Sequence, residues 1–284
     1  MRWTAFILLL AATTAHAQSF GFDRNDYPGD NHLATLHKTF AFTGYWLNNP
    51  PGAKTNSWTG KRAAVEKAGF GFLVLYNGKT YAQLKGNEAE ELGSADGEAA
   101  VAAAKREGFP KDTVLFLDQE EGGRLLEPQK DYLFAWIDAV NSSGYRAGVY
   151  CSGIPATEGS GETVITADDI HKDAGDRHIA YFIANDQCPP SPGCVIPKSP
   201  APVDGKAAET KTADLTPKGS GIDYAEVWQY VQSPRRPEFT QSCAQTYNAD
   251  GNCYPPNVDP KTRLHIDVEV ANESDPSHGR AAAK

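Results

Sequence analysis

Short apolar runs alternate with stretches of helical spacing through the first two thirds of the chain, and that rhythm predicts the fold. The runs at Phe20 to Asp23, Phe40 to Leu47, Phe70 to Tyr76, Thr113 to Asp118, Arg146 to Cys151 and His178 to Ala184 are rich in Phe, Leu, Val and Tyr. That length and composition suit strands. Between them, helical spacing covers Asn31 to Thr39, Ser57 to Ala68, Ser94 to Glu107, Pro128 to about Asn141 and Ala167 to Ala174. Gly69 and Gly108 follow two of these as C-terminal stops, and Pro128 suits a first helical turn. After Asn185 the rhythm breaks. Between Asn185 and Pro260 lie 12 of the 19 prolines, which argues against a long helix there. Two strand signals survive, Ala225 to Val231 and Leu264 to Val268. Five βα units followed by three strands predict an α/β fold, an irregular TIM-type barrel, with a doubly wound open sheet as its rival. The connection from about Asp186 to Tyr224 is longer than ordinary loops, which predicts a functional or stapled excursion.

The first residues stand outside this pattern. Arg2, the apolar run Trp3 to Ala12 and the small-x-small triplet Ala15-His16-Ala17 read as a secretory signal peptide over 1–17, cleaved near Ala17. A membrane anchor would need about twenty apolar residues, and the run stops short of that. The expected organisation is therefore a leader at 1–17, a barrel domain at 18–272 and a C-terminal tail at 273–284, with the mature protein secreted or periplasmic. The 284 residues carry 27 basic and 36 acidic side chains, a net charge of −9, and losing Arg2 makes it more negative. Such a chain gains nothing electrostatically from a nucleic-acid backbone or an anionic membrane, so neither is expected as a partner, and a monomer is expected.

Export makes the five cysteines legible as candidate disulfides. Cys188 and Cys194 bracket one Pro/Gly-rich loop, and Cys243 and Cys253 bracket another polar segment. Two local staples are the simplest pairing, although connectivity does not follow from sequence. Cys151, inside an apolar run, is expected to be a buried thiol.

Chemistry in an α/β barrel sits at the C-terminal ends of the strands. Asp23 ends the first predicted strand, Asp118 and Glu120 lie at the end of the fourth, and Asp267 lies in the last. Residues two apart on a strand share a face, about 6.6 Å apart, so Asp118 and Glu120 point the same way. Two crowded carboxyls do not both ionise easily. One keeps its proton near neutral pH and can act as an acid, as protonation of a glycosidic oxygen requires. Each acid also has a plainer role available, as a turn, a cap or an ion-pair partner; three strand ends carrying acids is the pattern those roles do not predict. Tyr27, Trp46, Tyr76, Trp228 and Tyr230 lie at or near strand ends as candidate platforms for sugar rings.

Other motifs are incomplete. Asn77 to Thr80 has the tail of a phosphate loop, but Leu73 stands where its first glycine belongs. No Gly-x-Ser-x-Gly elbow or His-x-x-x-His pattern occurs. No cofactor or metal is therefore expected, although four acids at one mouth leave a metal-assisted hydrolase as an alternative.

Gly21-Phe22-Asp23, Phe116 to Glu120, Ala147 to Tyr150, Tyr181 to Ala184, Val227 to Tyr230 and Ile266-Asp267 resemble, in order, the family 25 glycoside hydrolases, the Chalaropsis-type lysozymes. The opening GFDRNDYPG and the segment FTGYWLNNPPG resemble more closely a glycoside-hydrolase-like family of secreted proteins related to those lysozymes. The resemblance implies the irregular barrel already read from the rhythm. It implies Glu120 as proton donor, Asp118 as the group that stabilises the transition state or positions an N-acetyl group, and Asp23 and Asp267 as flanking acids. It implies a polysaccharide substrate of β-linked N-acetylated glycan, with peptidoglycan as the expected case. A barrel that binds glycan without cleaving it is the other expectation.

Overall fold

The chain closes into an eight-stranded barrel, in a computed structural model that describes residues 18–86, 88–196 and 215–281. The expected signal peptide lies outside the described residues, as does part of the long excursion after Asp186. Strand β1 is Ser19–Asp23, followed by helix α1 (Asp30–Leu36), β2 (Phe42–Trp46), α2 (Arg62–Lys67) and β3 (Gly71–Asn77). Next come α3 (Tyr81–Leu84), α4 (Ala89–Glu107), β4 (Val114–Asp118), α5 (Glu127–Ser142) and β5 (Arg146–Ser152). A small hairpin, β6 (Ala156–Thr157) and β7 (Thr163–Val164), precedes α6 (Thr166–Asp173). Strand β8 (Ala180–Ala184), β9 (Val227–Val231), α7 (Pro237–Thr240) and β10 (Asp267–Ala271) complete the order. Around the barrel the strands run β1-β10-β9-β8-β5-β4-β3-β2. Five strand–helix units and three further barrel strands are the predicted layout.

Every neighbouring pair is parallel except those of β10, which runs antiparallel to both β1 and β9. This decides where the last acid goes. The apolar pattern places the strand at Leu264 to Val268, with Asp267 near its end, whereas the strand observed starts at Asp267. Because it runs backwards, its start lies at the same barrel mouth as the ends of the parallel strands, and Asp267 pairs with Asp23.

Helix boundaries differ for local reasons. The predicted helix from Ser57 starts only at Arg62, because Gly60 adopts φ +76° and Trp58 is buried, its indole N–H shared by the Arg24 and Asn25 carbonyls. In the unpredicted α3, Thr80 and Gln83 form a capping box, so the incomplete phosphate loop serves as a helix start. Helix α4 begins five residues before the predicted Ser94 and packs on α5. A Cβ at Gly97 would lie 2.8 Å from Ala139 Cβ and 2.9 Å from the Trp136 carbonyl, so a small residue sets this approach.

The segment after residue 272 closes the bottom of the barrel. Backbone N–H groups of Phe72 and Val74 donate to the side chains of Asp275 and Ser277, and Arg280 donates to the Phe70 carbonyl. Ser277 is fully buried. Up to residue 281, what reads in sequence as a tail is part of the barrel's packing.

The two local staples are corrected. Cys188 is bonded to Cys243 and Cys194 to Cys253, with Cα–Cα separations of 6.0 and 5.6 Å. The loop after β8 and the segment after α7 lie side by side, so each cysteine meets its counterpart across the gap. The bonds close loops of 55 and 59 residues' separation rather than short local ones. Cys151 is free and buried, and burial pushes its thiol well up, which makes it inert. Non-reducing proteolysis with mass mapping is expected to recover peptides linked 188–243 and 194–253. Cys151 should become alkylatable only after unfolding.

Candidate active site

The barrel mouth holds a cleft of about 370 Å³ lined by Asp23, Arg24, Trp46, Asp118, Glu120, Tyr150, Gln229, Gln232, His265 and Asp267 among others. A neighbouring cleft of about 340 Å³ shares Pro51, Asp118 and Glu120 with it and runs past Asn77 to Thr80. Asp118 and Glu120 therefore stand where the two depressions meet. All four acids predicted from the sequence line the first cleft.

Strand alternation explains how each arrives. On β1, Phe22 points outward against Phe40 and Phe70, so Asp23 points inward. Gly44 on β2 makes room for it, since a Cβ there would lie 2.5 Å from Asp23 Cβ. On β9, Gln229 faces inward between two outward aromatics. Its amide donates to Asp23 Oδ2 at 3.0 Å and Asp267 Oδ2 at 3.4 Å. Its carbonyl accepts from the Tyr150 hydroxyl at 2.8 Å. Asp267 also accepts from the Ser233 N–H at 2.6 Å.

These acids are costly to ionise. Burial, then the charges of Glu120 and Asp23, push the Asp118 carboxyl well above the usual range, and its Oδ1 is buried without a partner. Burial pushes Asp23 up to about 6 against the opposing hydrogen bonds of Glu269 and Gln229. Burial and the Asp23 charge hold Asp267 well up as well. Glu120 keeps contact with solvent at the cleft; the surrounding protein raises its carboxyl, and the Arg236 guanidinium pulls it back down. Arg236 is fixed on Asp186, its Nε donating at 3.2 Å and its Nη2 pairing with the other carboxylate oxygen. A buried carboxyl beside an accessible one, with both raised, can hold a proton near neutrality and deliver it into the cleft.

Four of the five predicted sugar platforms do not line the cleft. Trp228 and Tyr230 are fully buried on the outer face of β9, where the indole donates to the Asn185 carbonyl and the phenol to the Val195 carbonyl. With Gln229 facing in, residues on either side of it must face out. Tyr76 packs against Trp136 on the helical side and lines a separate depression with Lys79 and Asp96. Tyr27 sits on the loop after β1, its ring on Trp58 and its hydroxyl on Asp30, and does not line the cleft. Trp46 does line it, with a buried indole N–H that has no partner.

Sequence reading missed Tyr150, Gln229, Arg236 and Glu269. Gln229 was legible in principle, since a polar residue at the centre of VWQYV marks an inward face unlike an ordinary core. Among the described residues, no group of three or more His, Cys, Asp or Glu side chains is placed to hold a metal ion, and no helix is long and apolar enough to cross a membrane.

A closed, largely parallel barrel with acids at the C-terminal ends of its strands belongs to the TIM-type class. Residues 41–176, a little under half of the chain, match the family model described as Rv2525c-like, glycoside hydrolase-like domain. Solved structures share the fold across most of the chain. An uncharacterized B. stearothermophilus protein is 18% identical with a TM-score of 0.51, over 89% of this chain and 95% of that one. The Mycobacterium tuberculosis Tat-secreted protein Rv2525c, in complex with L-tartrate, is 11% identical with a TM-score of 0.51, over 90% and 95%. No curated protein sequence matches.

The close seat of Asp23 on Gly44 is open to test. Gly44→Ala should destabilise the protein by about 1–3 kcal/mol, measured by denaturant unfolding, because neither backbone has room to withdraw.

Proposed function

We propose that this chain is an exported hydrolase of β-linked, N-acetylated glycan, with peptidoglycan as its substrate. The observation that carries this reading is the Asp118–Glu120 pair, raised together at the junction of two clefts. Glu120, the accessible member, donates its proton to the leaving glycosidic oxygen. Asp118, held in the floor, stabilises the positive charge that develops on the sugar or orients the N-acetyl group. Asp23 adds negative charge beside the pair, which keeps its proton bound to higher pH, and Asp267 flanks Asp23. Trp46 offers an aromatic wall to the sugar. The glycoside hydrolase-like family and the sequence motifs shared with the lysozymes support the same chemistry. Export is supported by the leader-like first residues and by two disulfides.

Incubation with purified peptidoglycan, with chitin as comparator and products identified by mass, tests the reading. Glu120→Gln is expected to lower turnover by about 10²–10⁴-fold, the usual contribution of a general acid. Unchanged turnover in that variant would overturn it, and glycan binding without product would favour a binding barrel instead.

The pH profile carries a second expectation. Arg236 lowers the Glu120 carboxyl, so removing the cation lets Glu120 keep its proton to higher pH. The double variant Arg236→Met with Asp186→Asn removes both partners of the pair and leaves no buried charge alone. Its alkaline limb in the rate profile should move to higher pH than that of the wild type.

A further inference from the structure

Glu269 has no part in the reaction as described, yet it lies under it. It sits on β10, two residues beyond Asp267 on the same strand face, opposite Gly21 on β1 and Gln229 on β9. The side chain is fully buried, and neither carboxyl oxygen receives a hydrogen bond from a group that carries a fixed proton. The groups against it are the Asp23 carboxyl and the Gln229 amide. That amide nitrogen donates to Asp23 at 3.0 Å and to Asp267 at 3.4 Å, and it makes no hydrogen bond of normal geometry to Glu269, whose rise it opposes only weakly. An ionised Glu269 would therefore be a buried charge without a donor beside two other acids, which is the costliest arrangement a carboxylate can meet.

We propose that Glu269 is a neutral carboxylic acid whose O–H donates to Asp23, a positioning residue that holds Asp23 oriented and ionised beneath the cleft. The proton closes the network. Tyr150 donates to Gln229, Gln229 donates to Asp23 and Asp267, and Glu269 supplies Asp23 with its other donor. Burial, the Asp23 charge and the bond to Asp23 favour the protonated form, Asp267 adds to them, and the Gln229 amide is the smallest influence and opposes them. The other groups around this corner are Asp118 and Glu120 from the end of β4 and Tyr230 on the far face of β9, none of them a cation.

The role in catalysis rests on the proposed hydrolase, but the proton itself can be read without activity. A native state that keeps a proton the unfolded chain releases loses stability as pH rises above the unfolded carboxyl's range. Glu269→Gln keeps a donor toward Asp23 and removes that proton. Its melting temperature relative to wild type should climb between about pH 4.5 and about pH 8, by at least about 2–4 °C. A difference that stays constant across that range would overturn the proposal.

With peptidoglycan as substrate, Glu269→Leu should lower kcat by about tenfold or more by releasing Asp23. Its acidic limb should move to higher pH, because Asp23 loses a donor to its ionised form. Glu269→Gln should restore both the rate and the limb, and failure of that rescue would also overturn the assignment. If the wild type cleaves no glycan, the hydrolase reading fails, and the melting comparison still decides the proton.

Discussion

Three carboxyl groups, Asp23, Asp267 and Glu269, share one corner of the barrel, and the side-chain amide of Gln229 is the donor that lets them do so. Like charges in a dry site repel strongly, so such a corner is stable only if protons and donors are shared among its members. The rest of the mouth follows from that constraint. Asp23 can sit at the end of β1 because Gly44 leaves space and Gln229 supplies an N–H. The negative charge retained there then acts on Asp118 and raises its carboxyl further.

The disulfide-linked excursion works on the same site from above. Cys188 and Cys194 tie the loop after β8 to the segment after α7, and Arg236 at the start of α7 meets Asp186 just before Cys188. The guanidinium is thereby held close enough to Glu120 to oppose the effect of burial. One barrel mouth thus contains a corner that raises carboxyl affinities for protons and a stapled cation that limits the rise at the accessible member. This division suits a pair in which one acid must exchange its proton with substrate and the other must not.

Much of this was legible before any coordinates. Alternation of apolar runs with helical spacing predicts five strand–helix units and three strands, since each strand must bury its faces against helices or the barrel interior. Asp23, Asp118, Glu120 and Asp267 stand out because acids at strand ends have no reason to recur in a solvated face. Four of the five aromatic candidates, all but Trp46, fall outside the cleft because strand-end position says nothing about which way a side chain points. Trp228 and Tyr230 flank an inward Gln229, and alternation sends both outward into the packing beneath the excursion. The disulfide pairing failed for a related reason: short spacing favours local closure, but the cysteines pair across two loops that only the fold brings side by side.

The sequence by itself determined the strand–helix order, the buried thiol of Cys151 and the identity of four acids at one mouth, because these depend on local periodicity and residue chemistry. Only the tertiary structure decided that the last strand runs antiparallel, so that Asp267 begins it and faces Asp23. Register then places Glu269 against Gln229 and Asp23, where no donor remains for it. Which groups share a proton depends on distances across strands far apart in the chain, and those distances exist only once the barrel is closed.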